Sequence, residues 1–193
     1  MNYSKTIIWE AIAWKGRERC QIAYLDNRYI VKSELNGRLE KTSFNLQYKL
    51  EINAGWNIES VHIDSMQNTK KLVNLGKDAK SRWINEQSEP LIEFSNCTDI
   101  DISLSPFTNT LPIRRLTFDR QSREAITVIY IDLPSGEIKP MKQWYTKLKN
   151  RRYKYEDETG YTNTITVDEN GFVIDYPNLF ERKSEEIGSN KVA

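Results

Sequence analysis

Between Phe44 and Ile52 the chain alternates strictly. Phe44, Leu46, Tyr48, Leu50 and Ile52 are apolar, and Asn45, Gln47, Lys49 and Glu51 between them are polar. A strand sends successive side chains to opposite faces, so this run buries its apolar half only as one face of a sheet with a dry side and a wet side. The five apolar residues are therefore expected to share one buried face. The same period recurs at Val61 and Ile63 among Ser60, His62 and Asp64. It recurs again at Ile100, Ile102 and Leu104 among Asp99, Asp101, Ser103 and Ser105, and at Ile165 and Val167 between Thr164 and Thr166.

Turn-forming pairs punctuate these runs: Asp26-Asn27, Asn36-Gly37, Ala54-Gly55, Gln67-Asn68, Ser135-Gly136, Thr159-Gly160 and Asn170-Gly171. Asn-Gly tolerates the positive φ of two-residue hairpin loops, so Asn36-Gly37 and Asn170-Gly171 each predict a hairpin. Short strands joined by short turns make an antiparallel meander, and accumulated twist curls a long meander. The expected fold class is mainly β, a meander curled into a partly open barrel with at most one or two short helices. Thr110–Leu116 fits one such helix, with Thr110 as cap and Pro112 in the first turn. Met141, Trp144, Tyr145 and Leu148 fit helical spacing, although Pro140 and the aromatics suit a strand about as well.

A length of 193 residues suits one domain, read here as residues 1–182, with the polar run 183–193 as a disordered tail. Lys and Arg number 28 against 27 Asp and Glu, so bulk charge recruits no nucleic acid. Glu10 interrupts the one apolar stretch near the start, which argues against a signal peptide, and no run predicts a transmembrane segment. The expected location is the cytoplasm, with Cys20 and Cys97 reduced. No feature fixes an oligomeric state.

Candidates for chemistry are few. His62 is the only histidine and sits on the polar face of a short strand, so a solvated role is the simplest reading. With one His and two distant Cys, a metal site would need carboxylates, and neither a metal nor a cofactor is expected. Asp99 and Asp101 lie on one strand face about 6–7 Å apart, a spacing open to a metal or to acid–base work. That face could equally be wet, or paired with Arg114 and Arg115. Lys139–Lys154 holds seven basic residues and no acid, with Trp144, Tyr145, Tyr153 and Tyr155 interleaved. Glu156, Asp157 and Glu158 follow at once, so solvated strand faces and a hairpin tip account for it most simply. Five Trp and ten Tyr are many for this length and would suit the wall or rim of an apolar pocket.

The segment Asn96–Leu116 resembles the signature of a family of bacterial proteins described as putative glycolipid-binding. In that signature an Asp-x-Asp strand runs into Pro-x-Thr-Asn-Thr-Leu-Pro-Ile-Arg-Arg-Leu. Asp99, Asp101, Pro106, Thr108, Asn109, Thr110, Leu111, Pro112, Ile113, Arg114, Arg115 and Leu116 match it. Tyr48 with Trp56, Trp83, Gln143-x-Tyr145-Thr146 with Tyr153 and Tyr155, Val167-Asp168-x-x-Gly171-x-Val173 and Tyr176-Pro177 follow in the same order. The likeness runs from Trp9 to Arg182. It implies a barrel similar to bacterial lipoprotein carriers, enclosing an apolar cavity.

The combined expectation is a binder of a hydrophobic or amphiphilic small molecule, with no catalytic residue. Phe44, Leu46, Tyr48, Leu50, Trp56, Trp83 and Tyr145 would wall the cavity. Asp99, Asp101, Asn109, Arg114 and Arg115 would anchor a headgroup or lock the central loop to the sheet. An enzyme using Asp99 and Asp101, or a protein-interaction module, is the alternative.

Overall fold

A computed structural model describes residues 3–68, 70–119 and 122–188. Fourteen strands form one sheet: β1 (Tyr3–Ala11), β2 (Lys15–Leu25), β3 (Arg28–Leu39), β4 (Thr42–Asn53), β5 (Ile58–Ser65), β6 (Lys71–Lys77), β7 (Trp83–Ile84), β8 (Asp99–Ile102), β9 (Arg123–Asp132), β10 (Glu137–Lys147), β11 (Arg152–Asp157), β12 (Thr162–Val167), β13 (Val173–Tyr176) and β14 (Phe180–Gly188). Their order is β7 to β1, then β14 down to β8, so the first and last strands pair at the centre. Every neighbour is antiparallel except β8 and β9, which run parallel.

The sheet curls without closing. Its edge strands are β7 and β8, and side chains of β6 and β7 reach the segment just before β8: the Trp83 indole donates to Cys97 O at 2.8 Å, and Lys77 Nζ to Thr98 O at 3.2 Å. This is the partly open barrel that the alternation predicts. Phe44, Leu46, Tyr48, Leu50 and Ile52 are all buried, while Asn45 and Gln47 face solvent.

Two features differ from expectation. Asn36-Gly37 is not a turn but part of β3, which runs on to a turn at Glu40-Lys41. Gly37 pairs with Gly16, and a Cβ on it would lie 2.5 Å from Lys15 O. The glycine is there because two backbones approach closely. Lys183–Gly188 is not a tail but the end of β14, where Ser184–Gly188 pairs with Ser4–Ile8, because β1 would otherwise expose its backbone donors and acceptors. Residues 189–193 of the expected tail lie outside the described residues. By contrast Asn170-Gly171 does turn β12 into β13, with Gly171 at φ +81°.

The short helix α1 (Thr110–Arg115) forms where expected, although Thr110 lies inside it and Asn109 is the cap position. Together with the preceding 3-10 turn (Phe107–Asn109), it is a plug inside the curl. Leu104, Phe107 and Leu111 pack in one core with Phe44, Leu46, Tyr48, Leu50, Trp56 and Trp83. Ile113 packs in a second core with Tyr145, Tyr155, Ile165 and Val173.

Candidate functional site

The central motif is bonded to itself. Asp99 is fully buried and forms an ion pair with Arg115, whose Nε also donates to Oδ1 at 3.4 Å, while Thr98 Oγ1 donates to Oδ2 at 2.8 Å. Asp101 accepts from Gln143 Nε2 at 2.6 Å and from Thr108 Oγ1 at 3.1 Å. Burial raises the Asp101 carboxyl above its ordinary value, and the two donors offset part of that rise. Asn109 Oδ1 accepts from the Tyr145 hydroxyl at 2.9 Å, and its amide donates to Pro106 O at 3.2 Å.

Of the readings open for Asp99 and Asp101, pairing with an adjacent arginine describes Asp99, and the face is not wet. The plug and the neighbouring strands bury both sides of β8, and each carboxylate turns to its own partners. Among the described residues no group of three His, Cys, Asp or Glu is placed to hold a metal. Asp99, Asp101, Asn109 and Arg115 fasten the plug to the second half of the sheet.

A second cluster fastens the plug to the first half, and Glu18 is its centre. Glu18 is 3% exposed. Its Oε1 accepts from Tyr48 Oη at 2.6 Å, Ser33 Oγ at 2.7 Å and Ser105 Oγ at 3.0 Å. Its Oε2 is buried without a partner, and Glu18 lines a small, partly open void of about 10 Å³ with Phe44, Leu104 and Phe180, room for about one water. Burial pushes the Glu18 carboxyl up to about 7 against the lowering pull of the three hydroxyls. The same desolvation, with Glu18 nearby, pushes the thiol of Cys20 up, so that thiol is inert.

The residues expected to wall a cavity are buried, but the plug fills the space they enclose. Leu46, Leu50 and Trp83 are packed core, and Tyr145 is core with a bonded hydroxyl. Trp56 is different. The turn Asn53–Asn57 holds it at φ +63°, with Asn53 Oδ1 accepting from the N–H groups of Gly55 and Asn57. One face of its indole meets Tyr29 at 4.4 Å between ring centroids, and Tyr29 meets Tyr24 at 4.6 Å. Arg114 lies over the indole at 4.9 Å and donates to Asn170 O at 3.1 Å. With Phe172 these residues line an open pocket of about 220 Å³.

Gly171 permits that arrangement: a Cβ there would lie 2.8 Å from Arg114 Cδ. The aromatic contacts continue inward from Trp56 to Phe172 and from Phe172 to Phe107 of the plug. Tyr24 and Tyr29 face each other across the β2–β3 hairpin, and only the topology brings that pair to Trp56, Arg114 and Phe172. Glu18, in contrast, is legible: it falls in phase with the inward residues Cys20 and Ile22.

A larger groove of about 600 Å³ crosses the outer faces of β2–β6 and includes His62. Of its residues, Lys49 pairs with Glu51, Lys71 pairs with Glu86, and Gln47 donates to Asp64 at 3.4 Å. The basic run Lys139–Lys154 lies on β10, the following turn and β11, where Lys154 and Arg123 pair with Glu156 and Arg123 stacks on Trp144.

The fold is one curled, open β sheet plugged by a short helix, with a surface pocket lined by aromatic rings and Arg114. The chain belongs to the family described as "Putative glycolipid-binding", whose model matches residues 6–182. It is similar to a crystal structure of a DUF1089 family protein from Pseudomonas aeruginosa, with 35% identity and a TM-score of 0.75. That match covers 87% of this chain and 92% of the other. A comparison with curated proteins finds no match. No helix among the described residues is long and apolar enough to cross a membrane.

Proposed function

We propose that the protein binds an amphiphile without transforming it, and that the pocket of Tyr24, Tyr29, Trp56, Arg114, Asn170 and Phe172 receives the headgroup. The observation that carries this reading is the pairing of aromatic faces with an exposed guanidinium in one concave site. Sugar rings have an apolar C–H face that lies flat on an aromatic ring, and hydroxyl or acidic oxygens that a guanidinium can bind. The family's description supports a glycolipid as the amphiphile. A non-catalytic role fits the way Asp99 and Asp101 are occupied by internal partners. Two buried free thiols, Cys20 and Cys97, are in keeping with a reducing compartment such as the cytoplasm.

The test is co-sedimentation with phosphatidylcholine vesicles, with and without a glycosyl diacylglycerol. The wild-type protein should pellet only with the glycosylated vesicles, and Trp56→Ala should stay in the supernatant. Equal binding to both vesicle types, or to neither, would refute the proposal.

A further inference from the structure

The plug needs a reason to stay inside the sheet. Ser105 stands at its entrance, where its Oγ donates to Glu18 Oε1, lies 3.1 Å from Tyr48 Oη and accepts the N–H of Phe107 at 3.2 Å. Glu18 on β2 and Tyr48 on β4 thus reach the plug through one serine hydroxyl, with Ser33 on β3 completing the set. The three hydroxyls favour the ionised form, but burial this deep, with the second oxygen unpartnered, penalises the charge more than they relieve it. In either form Oε2 lacks a partner, and the charged form adds the cost of desolvation.

We propose that Glu18 is a proton latch, which holds the Leu104–Arg115 plug in the sheet when protonated and loosens it when ionised. The inference is independent of the headgroup pocket. The groups that face Glu18 are consistent with it. β1 and β14 present Trp9, Ala11 and Phe180, and β3 presents Ser33 and Leu35. The titratable or charged neighbours are Tyr48 from β4 and Cys20 and Arg17 from the same strand. Arg17 is exposed, and among the described residues no cation counts among the groups that shift the carboxyl.

The sign follows from linkage. The carboxyl ionises at an ordinary value of 4.5 when the plug is out and at about 7 when it is in. The plugged state therefore binds the extra proton between these values. Its advantage is complete below 4.5, falls about tenfold per pH unit up to about 7, and levels off above that.

Two readings on the intact protein test the latch. The ¹³C carboxyl resonance of Glu18 should titrate near neutral pH. Hydrogen exchange corrected for intrinsic rates should show protection at Phe107, Thr110 and Leu111 falling by more than tenfold between pH 5 and 7, with no such fall at β11 and β12. Glu18→Gln, which keeps the shape and the acceptor, should remove the pH dependence. If that variant fails to fold, Ser105→Ala serves instead, leaving Glu18 titrating while plug protection no longer follows it. A Glu18 midpoint below 5 would overturn the proposal. So would plug protection that varies with pH equally in the wild type and in either variant.

Discussion

Arg114 and Trp56 lie 58 positions apart and meet with the guanidinium 4.9 Å above the indole, joining the plug helix to the turn after β4. Arg115, the next residue, goes the opposite way to Asp99. Adjacent arginines on one short helix thus separate two tasks, one at the mouth of the pocket and one in the lock.

The lock makes the first prediction. Arg115→Met leaves Asp99 buried without its cation, which should cost about 3–5 kcal/mol in urea or guanidinium unfolding. Adding Asp99→Asn to that change should recover part of the loss, because the stranded charge is removed. A single-variant cost below about 0.5 kcal/mol would place the pair among surface ion pairs of little weight.

Tyr48→Phe removes one of the donors that hold the Glu18 carboxylate down. Its effect should be a Glu18 midpoint above the wild-type value, together with a loss of about 1–2 kcal/mol from the missing hydrogen bond. A downward move of the carboxyl titration by NMR would contradict the geometry around Oε1.

Two glycines should respond very differently to alanine. Gly160 has φ +89° and open space around its missing Cβ, so Gly160→Ala should cost only the conformational term of about 1 kcal/mol. In Gly37→Ala the new atom meets backbone at 2.5 Å and 2.7 Å, which cannot rotate away. That variant should lose more than Gly160→Ala on thermal unfolding, and the reverse order would disprove the close pairing of β2 and β3.

Local periodicity explains how much of this fold is readable in the residues. The Phe44–Ile52 alternation specifies its buried face because strand geometry ties each side chain to its neighbours alone. Asn36-Gly37 misleads because the reason for its glycine is Gly16 on another strand. Asp99–Leu104 misleads in another way, since period 2 implies a wet face and the plug covers it. The motif Asp99–Leu116 holds the polar residues that lock the plug to the sheet, one of the two roles open to them from the residues alone. Glu18 shares a face with Cys20 and Ile22, a buried-charge signal visible in the pattern. The pocket is legible only at Trp56 and Arg114, because Tyr24, Tyr29 and Phe172 join them through tertiary structure.

The central claim is that the Trp56 pocket receives the headgroup while the packed interior stays closed. The most direct measurement follows the five tryptophan indole N–H resonances during titration with a short-chain glycosylated lipid below its micelle concentration. Trp9 and Trp83 donate their indole protons to Val173 O and Cys97 O in the core, so their signals should hold still. Trp56 should move in a saturable way, and Arg114→Ala should weaken that response by about tenfold or more. A saturable shift at Trp9 and Trp83 with Trp56 unmoved would put the ligand inside the sheet and contradict the account.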